Sequence, residues 1–167
     1  MRYLLLDKIT LLSPPEVARA VKCISLADDI FVDHFPGHPV MPGALIVEAL
    51  AQLGGVLLEA TVRKRGLPHD LHALLTMIDR AKFRHMVRPG DRLQLETRVL
   101  HANEDGGQIR GLARVERPDT SIDDAQEPQL VTEAELTYAF APIANPKVIA
   151  RRQEIVNTWL HGSAEPT

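Results

Sequence analysis

Only one cysteine, Cys23, occurs in 167 residues, so no intramolecular disulfide can brace this chain. A thiol count this low fits a reducing compartment. Between Val21 and Ile24, Cys23 reads as a small buried apolar residue. Aromatic residues are scarce at 4%, which leaves the core to Leu, Val, Ile and Ala. A basic excess is missing too: 19 Lys and Arg face 22 Asp and Glu, for a net charge of -3 and a pI near 6.2. That excludes a general nucleic-acid binder, which carries a strong positive balance. The longest apolar region, Ala44 to Leu58, is interrupted by Glu48, Gln52, Gly54 and Gly55. It falls short of the roughly 18 uninterrupted apolar residues of a membrane span. The apolar stretch at Tyr3 to Leu6 is too short for a signal-peptide core, and Asp7 ends it. His69, His72, His85, His101 and His161 show no metal-ligand spacing, so neither a metal nor another cofactor is expected. These absences point to a soluble, cytoplasmic protein.

What is present is ordinary for a folded domain: 45% apolar and 25% charged residues at single-domain length. Tyr3 to Leu12 and Val17 to Leu26 read as two strands of a hairpin, separated by Ser13-Pro14-Pro15. Ala27 to Met41, with Pro36, Gly37 and Pro39, is turn-rich loop. Pro42 opens a helix running to about Arg65, where Gly66-Leu67-Pro68 stops it. The helix is apolar on most sides and is therefore expected to be buried, with Ala44, Ala49, Ala51, Gly54 and Gly55 allowing close approach.

The second half is strand-like. Leu71 to Ile78 precedes a charged stretch, Asp79 to Arg84, and a turn at Arg88-Pro89-Gly90-Asp91. Three alternating segments follow, led by Leu93-Leu95-Thr97, Ile109-Gly111-Ala113 and Leu130-Thr132-Ala134. The acidic stretch from Pro118 to Pro128 reads as a loop, Pro146 to Leu160 as an amphipathic helix, and the residues after Gly162 as a frayed end. The expected class is α+β, an antiparallel sheet packed on a long central helix. A main domain spans 1–145, with a helical extension at 146–167.

Chemistry concentrates in Asp33-His34-Phe35-Pro36-Gly37-His38-Pro39-Val40-Met41-Pro42-Gly43-Ala44-Leu45-Ile46-Val47-Glu48-Ala49-Leu50-Ala51-Gln52. Imidazole acts as a base near neutral pH. A carboxyl group in apolar surroundings can hold a proton to donate. A helix start offers backbone N–H groups to a developing oxyanion. Together these are the parts for proton abstraction beside a carbonyl. By periodicity alone, Glu48, Gln52 and Glu59 read equally well as a solvated stripe, His34 as a surface loop residue and His38 as structural.

This run of twenty residues resembles the signature of the 3-hydroxyacyl-acyl carrier protein dehydratases of the FabZ/FabA type. It carries their His-Phe-Pro-Gly loop, Pro-Val-Met-Pro-Gly and a Leu-Ile-x-Glu-Ala-x-Ala-Gln helix, in order and without gaps. Looser matches at Tyr3 to Ile9, Lys82-Phe83-Arg84, Val87 to Asp91 and Glu133 to Leu136 extend the resemblance over roughly residues 3–140. The acidic 118–128 stretch and the 146–160 helix lie outside the usual core.

The resemblance implies a hotdog fold, with the sheet wrapped around the central helix. It implies dehydration of 3-hydroxyacyl thioesters to trans-2-enoyl thioesters, in fatty acid biosynthesis or a specialised acyl-chain pathway. His34 matches the base and Glu48 the acidic residue. Glu48 favours the FabZ branch over FabA, which has Asp. Gly43 matches the glycine whose N–H binds the thioester carbonyl, and Gln52 the residue that holds the carboxylate. Phe35 and Pro42 fall within the substrate-binding set. The active site is implied to be shared between two subunits of a homodimer, which can assemble further into a trimer of dimers. The implied partner is acyl carrier protein. Such carriers are acidic, so Arg80, Lys82, Arg84 and Arg88, with Arg92 nearby, are a candidate docking patch, or else a charged edge that deters aggregation. A hotdog acyl thioesterase and a non-catalytic subunit that binds acyl carriers are the competing functions.

Overall fold

The computed structural model describes residues 3–68, 70–116 and 127–161. Six strands form one antiparallel sheet: β1 (Lys8–Ser13), β2 (Val17–Cys23), β3 (Leu71–Phe83), β4 (Arg92–Ala102), β5 (Gly106–Glu116) and β6 (Gln129–Pro142). Their spatial order is β1-β2-β4-β5-β6-β3, so β3 lies at an edge. Helix α1 (Gly43–Lys64) runs through the concave side and touches all six strands. A second helix, α2, covers Pro146–Leu160. This is the expected hotdog arrangement. The 118–128 stretch falls largely on residues outside those described, as does the tail after Gly162.

Alternation on the strands builds the core. Ile109, Gly111, Ala113 and Val115 of β5 are buried, as are Leu93, Leu95 and Thr97 of β4. Both rows face α1, whose Leu50, Leu53, Leu57 and Leu58 have no exposed surface. Gly54 is one place where helix and sheet pack closely. A Cβ there would lie 2.9 Å from both Ile109 Cγ1 and Tyr138 Oη. By length and composition α1 is apolar enough to cross a bilayer, yet 78% of its most apolar window is buried in this fold. Its apolar surface is satisfied by the sheet.

Five expectations change. Cys23 is exposed rather than buried. With period-two alternation, Ala18, Ala20 and Ile24 point inward and Cys23 outward. The first strand starts at Lys8, because the backbone of Tyr3 and Leu5 bonds instead to the side chain of Gln52. Leu71 to Ile78 and the charged 79–84 stretch are not separate units. They form one 13-residue strand to Phe83, whose ladder with β6 shifts register at two irregularities. Glu59 is not part of a solvated stripe: it is 2% exposed and covered by α2. Pro42 stands at the N-cap, one residue before the helix proper.

Candidate active site

The His34 loop is folded by its own turn chemistry. The Phe35 carbonyl accepts from the His38 N–H at 2.9 Å, with Pro36 and Gly37 between them. Gly37 has φ +74°, the left-handed value that the third position of a type II turn needs. The Val40 N–H returns to the His34 carbonyl at 3.0 Å, and the Met41 N–H bonds to Val87 O at 2.8 Å. Both bonds tie the loop to the start of α1 and to the segment before β4.

His34 Nδ1 lies 2.7 Å from the Val40 carbonyl oxygen. A carbonyl can only accept, so Nδ1 carries the proton and the neutral ring keeps its lone pair on Nε2. The Phe35 ring stacks on the imidazole, with centroids 4.2 Å apart. His34 lines an open cleft of about 380 Å³ together with Gly43, Ala44, Phe83, Val87 and Thr132. Gly43 is the first residue of α1, where backbone N–H groups have no carbonyl within the helix and the helix dipole favours negative charge. A Cβ on Gly43 would lie 2.6 Å from the Phe83 ring, so a glycine is needed for Phe83 to pack this closely against the start of α1.

Glu48 stands one turn and a half further along α1, half-buried. Gln52 donates its amide to Glu48 Oε1 at 3.0 Å. Gln52 is itself held by the N-terminal segment, accepting from the Leu5 N–H at 3.0 Å and donating to Tyr3 O at 3.2 Å. Tyr138 donates its hydroxyl to Ala51 O at 2.9 Å. Burial, and then the charge of Glu48, push the Tyr138 hydroxyl well above the ordinary phenol range. Glu48 and Gln52 line a groove of about 520 Å³, distinct from the His34 cleft. Within one chain, then, His34 and Gly43 share one recess while Glu48 and Gln52 share another.

The proposed docking cations are exposed on β3 and beyond it, and several are already engaged. Glu133 takes Arg84 at 2.6 Å, Arg110 at 3.3 Å and Lys82 at 3.9 Å. Desolvation raises the Glu133 carboxyl, but hydrogen bonds from Arg84 and Arg110 outweigh it and hold the group below its usual range. Arg80 faces outward on β3. In the turn before β4, the Arg88 N–H bonds to Asp91 Oδ2 at 2.9 Å. Arg92 pairs with Glu116 at 3.4 Å. Among the described residues, no group of three or more His, Cys, Asp or Glu is placed to hold a metal ion.

Two features escaped the sequence reading. One is Tyr138, whose signal was a phenol on an inward-facing strand position that had to find a hydrogen-bond acceptor. The other is the Glu59–Arg152 pair. Its signal was Arg152 standing in the apolar stripe of α2 with Val148, Ile155 and Trp159.

Comparison with known proteins places the chain in a family. Residues 1–122 match the FabA-like domain family model. The chain is 49% identical over 98 residues to the 3-hydroxyacyl-[acyl-carrier-protein] dehydratase FabZ of Campylobacter jejuni, covering 59% of this chain and 67% of that one. The enzyme of the same name from Campylobacter lari is 40% identical over 134 residues, covering 80% and 84%. The one from Bacillus velezensis is 39% identical over 137 residues, covering 82% and 86%. Among solved structures, a thioesterase family protein from Silicibacter pomeroyi superposes with a TM-score of 0.62 at 14% identity, covering 83% of this chain and 87% of that one. A Streptococcus mutans protein bound to acetyl CoA superposes with a TM-score of 0.59 at 12% identity, covering 83% and 90%. At such identities these two likenesses speak to the fold alone.

Proposed function

This chain belongs to the FabA-like family, and from that premise we propose that it dehydrates 3-hydroxyacyl thioesters on acyl carrier protein to trans-2-enoyl thioesters, in fatty acid biosynthesis. The observation that carries the mechanism is the His34–Val40 hydrogen bond, which leaves Nε2 as the basic atom in a cleft beside the α1 N-terminus.

In this reading the thioester carbonyl sits at the start of α1 and Nε2 removes the α-proton. Negative charge moves to the thioester oxygen, where the Gly43 N–H and the helix dipole stabilise it. As the enolate collapses, the C3–O bond breaks. The protonated Glu48 carboxyl gives its proton to the departing hydroxyl, and water leaves. The His34 proton then returns to Glu48 through solvent. Phe35 stacks on the imidazole and keeps it oriented.

His34 and Glu48 line separate recesses in one chain, so this chemistry calls for a site shared by two copies. The β3 edge favours such a homodimer: Leu74, Leu75, Met77 and Ile78 are 39–53% exposed on a strand whose outer side is open. An apolar edge of this kind calls for cover. Arg80, Lys82, Arg84 and Arg88 are the proposed contact for the acidic carrier protein, and the cytoplasm is the proposed compartment. A thioesterase reading finds support only in distant fold likeness, whereas the dehydratases match in sequence over most of the chain.

The test is product analysis with purified protein and a 3-hydroxyacyl thioester. Enoyl product is expected without release of free thiol. His34→Ala and Glu48→Gln should each lower the rate by about 10²–10⁴-fold while remaining folded. Near-normal rates in both variants, or thiol release by the wild type, would overturn the assignment.

A further inference from the structure

Helix α2 lies beyond the stretch that the FabA-like model matches, which ends at residue 122. It is nonetheless fastened to the core. Trp159 is buried with the core side chains, and Ile155, Val156 and Leu160 pack beside it. Arg152 reaches across to Glu59, with Nε 3.1 Å from Oε2 and Nη2 2.6 Å from Oε1. Glu59 also takes Arg63 at 3.3 Å and the Ala73 N–H at 3.0 Å. A carboxylate this deeply buried is costly unless fully paired. The pair therefore ties α2, which packs beside β1, to the buried face of α1.

The consequence is a wall. Val148, Ile155, Val156 and Trp159 of α2 face Leu4 and Leu74 across the groove that also contains Glu48. The groove's volume of about 520 Å³ is in the range of small-molecule sites, which are mostly apolar with a few placed polar groups. Of its charged lining residues, Arg152 is neutralised on the deep side by Glu59, and Lys147 is exposed to solvent. On the outer side Arg151 pairs with Glu154 at 2.7 Å.

We propose that this groove receives the alkyl tail of the acyl thioester, and that α2 sets the tail lengths accepted, favouring tails well beyond four carbons. The proposal rests on the dehydratase reading in one respect: Glu48, at the groove, is taken to act at C3, from which the tail departs. The tail is the only strongly apolar part of such a substrate, and the groove is the apolar recess continuous with Glu48.

The test uses the full chain and calorimetric binding of butanoyl- and decanoyl-pantetheine, which carry no hydroxyl and need no turnover. Each methylene buried strengthens binding by about fourfold. Wild type should therefore hold the decanoyl thioester at least about tenfold more tightly than the butanoyl one. Val156→Trp fills the groove and should lower that ratio by about tenfold. Val148→Trp should lower it in the same direction. Val148 is 43% exposed, so this second variant keeps the fold even where the first is strained. Gln153→Ala, in a residue paired with Asn157 on the exposed side of α2, should leave the ratio alone. A ratio near one in wild type, or a ratio unmoved in both tryptophan variants, overturns the tail subsite. Turnover of 3-hydroxybutanoyl- and 3-hydroxydecanoyl-pantetheine is measured alongside. If neither is dehydrated, the dehydratase reading fails, while the binding ratio still decides the groove.

Discussion

Gln52 donates its side-chain amide to the Glu48 carboxylate one helical turn away, at 3.0 Å, while its own carbonyl oxygen accepts from the Leu5 N–H. One side chain thus couples the proposed acid to the N-terminal segment. Gln52→Met keeps the volume and removes all three of its bonds, to Glu48, Leu5 and Tyr3. The carboxyl then loses the partner that fixes its position, and a small misplacement of a reacting group is costly, so turnover should fall by roughly tenfold or more with KM little changed. Thermal stability should fall as well, because Leu5 loses its acceptor. A lowered Tm with unchanged kcat would mean that Gln52 braces the fold without orienting Glu48.

The Glu59–Arg152 pair makes a second prediction, on stability. Arg152→Met leaves the Glu59 carboxylate buried with Arg63 and with His72, whose Nδ1 is 3.5 Å away. Breaking such a pair on one side destabilises by on the order of 3 kcal/mol. The double variant Glu59→Gln, Arg152→Met removes the stranded charge and should recover part of that loss. Urea unfolding of the two variants checks the order. Equal stabilities would show that Arg63 and His72 satisfy Glu59 without Arg152.

Much of the site was legible in the sequence because its parts are contiguous. The Pro36-Gly37 turn, the Pro42 helix start and the Glu48-to-Gln52 spacing are local features, and local physics sets them. The alternating strands were legible for the same reason, since one buried face leaves a period-two record. What was not legible depends on partners far along the chain. Glu59 falls on the same helical face as Glu48, but only a contact across 93 residues shows that Arg152 covers it. Cys23 looked apolar by its neighbours, yet the parity of β2 turns it outward. The charged run at 79–84 hid the continuation of β3, because an edge strand tolerates charges on its open side. The split between the His34 and Glu48 recesses is likewise a matter of three dimensions.

Carrier docking is tested by charge reversal at Arg80 and Arg88. Arg84 is the less clean choice, since a glutamate there would also repel Glu133, its present partner at 2.6 Å. Arg80→Glu with Arg88→Glu should lower kcat/KM for carrier-bound substrate at low salt, and less so at high salt, because long-range attraction acts mainly on encounter. Small pantetheine thioesters should react as in wild type. An unchanged ratio of carrier-bound to small-substrate efficiency at low salt would remove the docking role.

The shared site is tested most directly by mixing two inactive proteins. His34→Ala and Glu48→Gln chains are combined, subunit exchange is verified, and dehydration is measured. In a mixed dimer one site draws both defects and the other draws none. An equimolar mixture should therefore recover about a quarter of wild-type activity, by random pairing of a symmetric two-site dimer. Activity no greater than that of the two parents, with exchange demonstrated, would contradict the shared site and mean that His34 and Glu48 act within one chain.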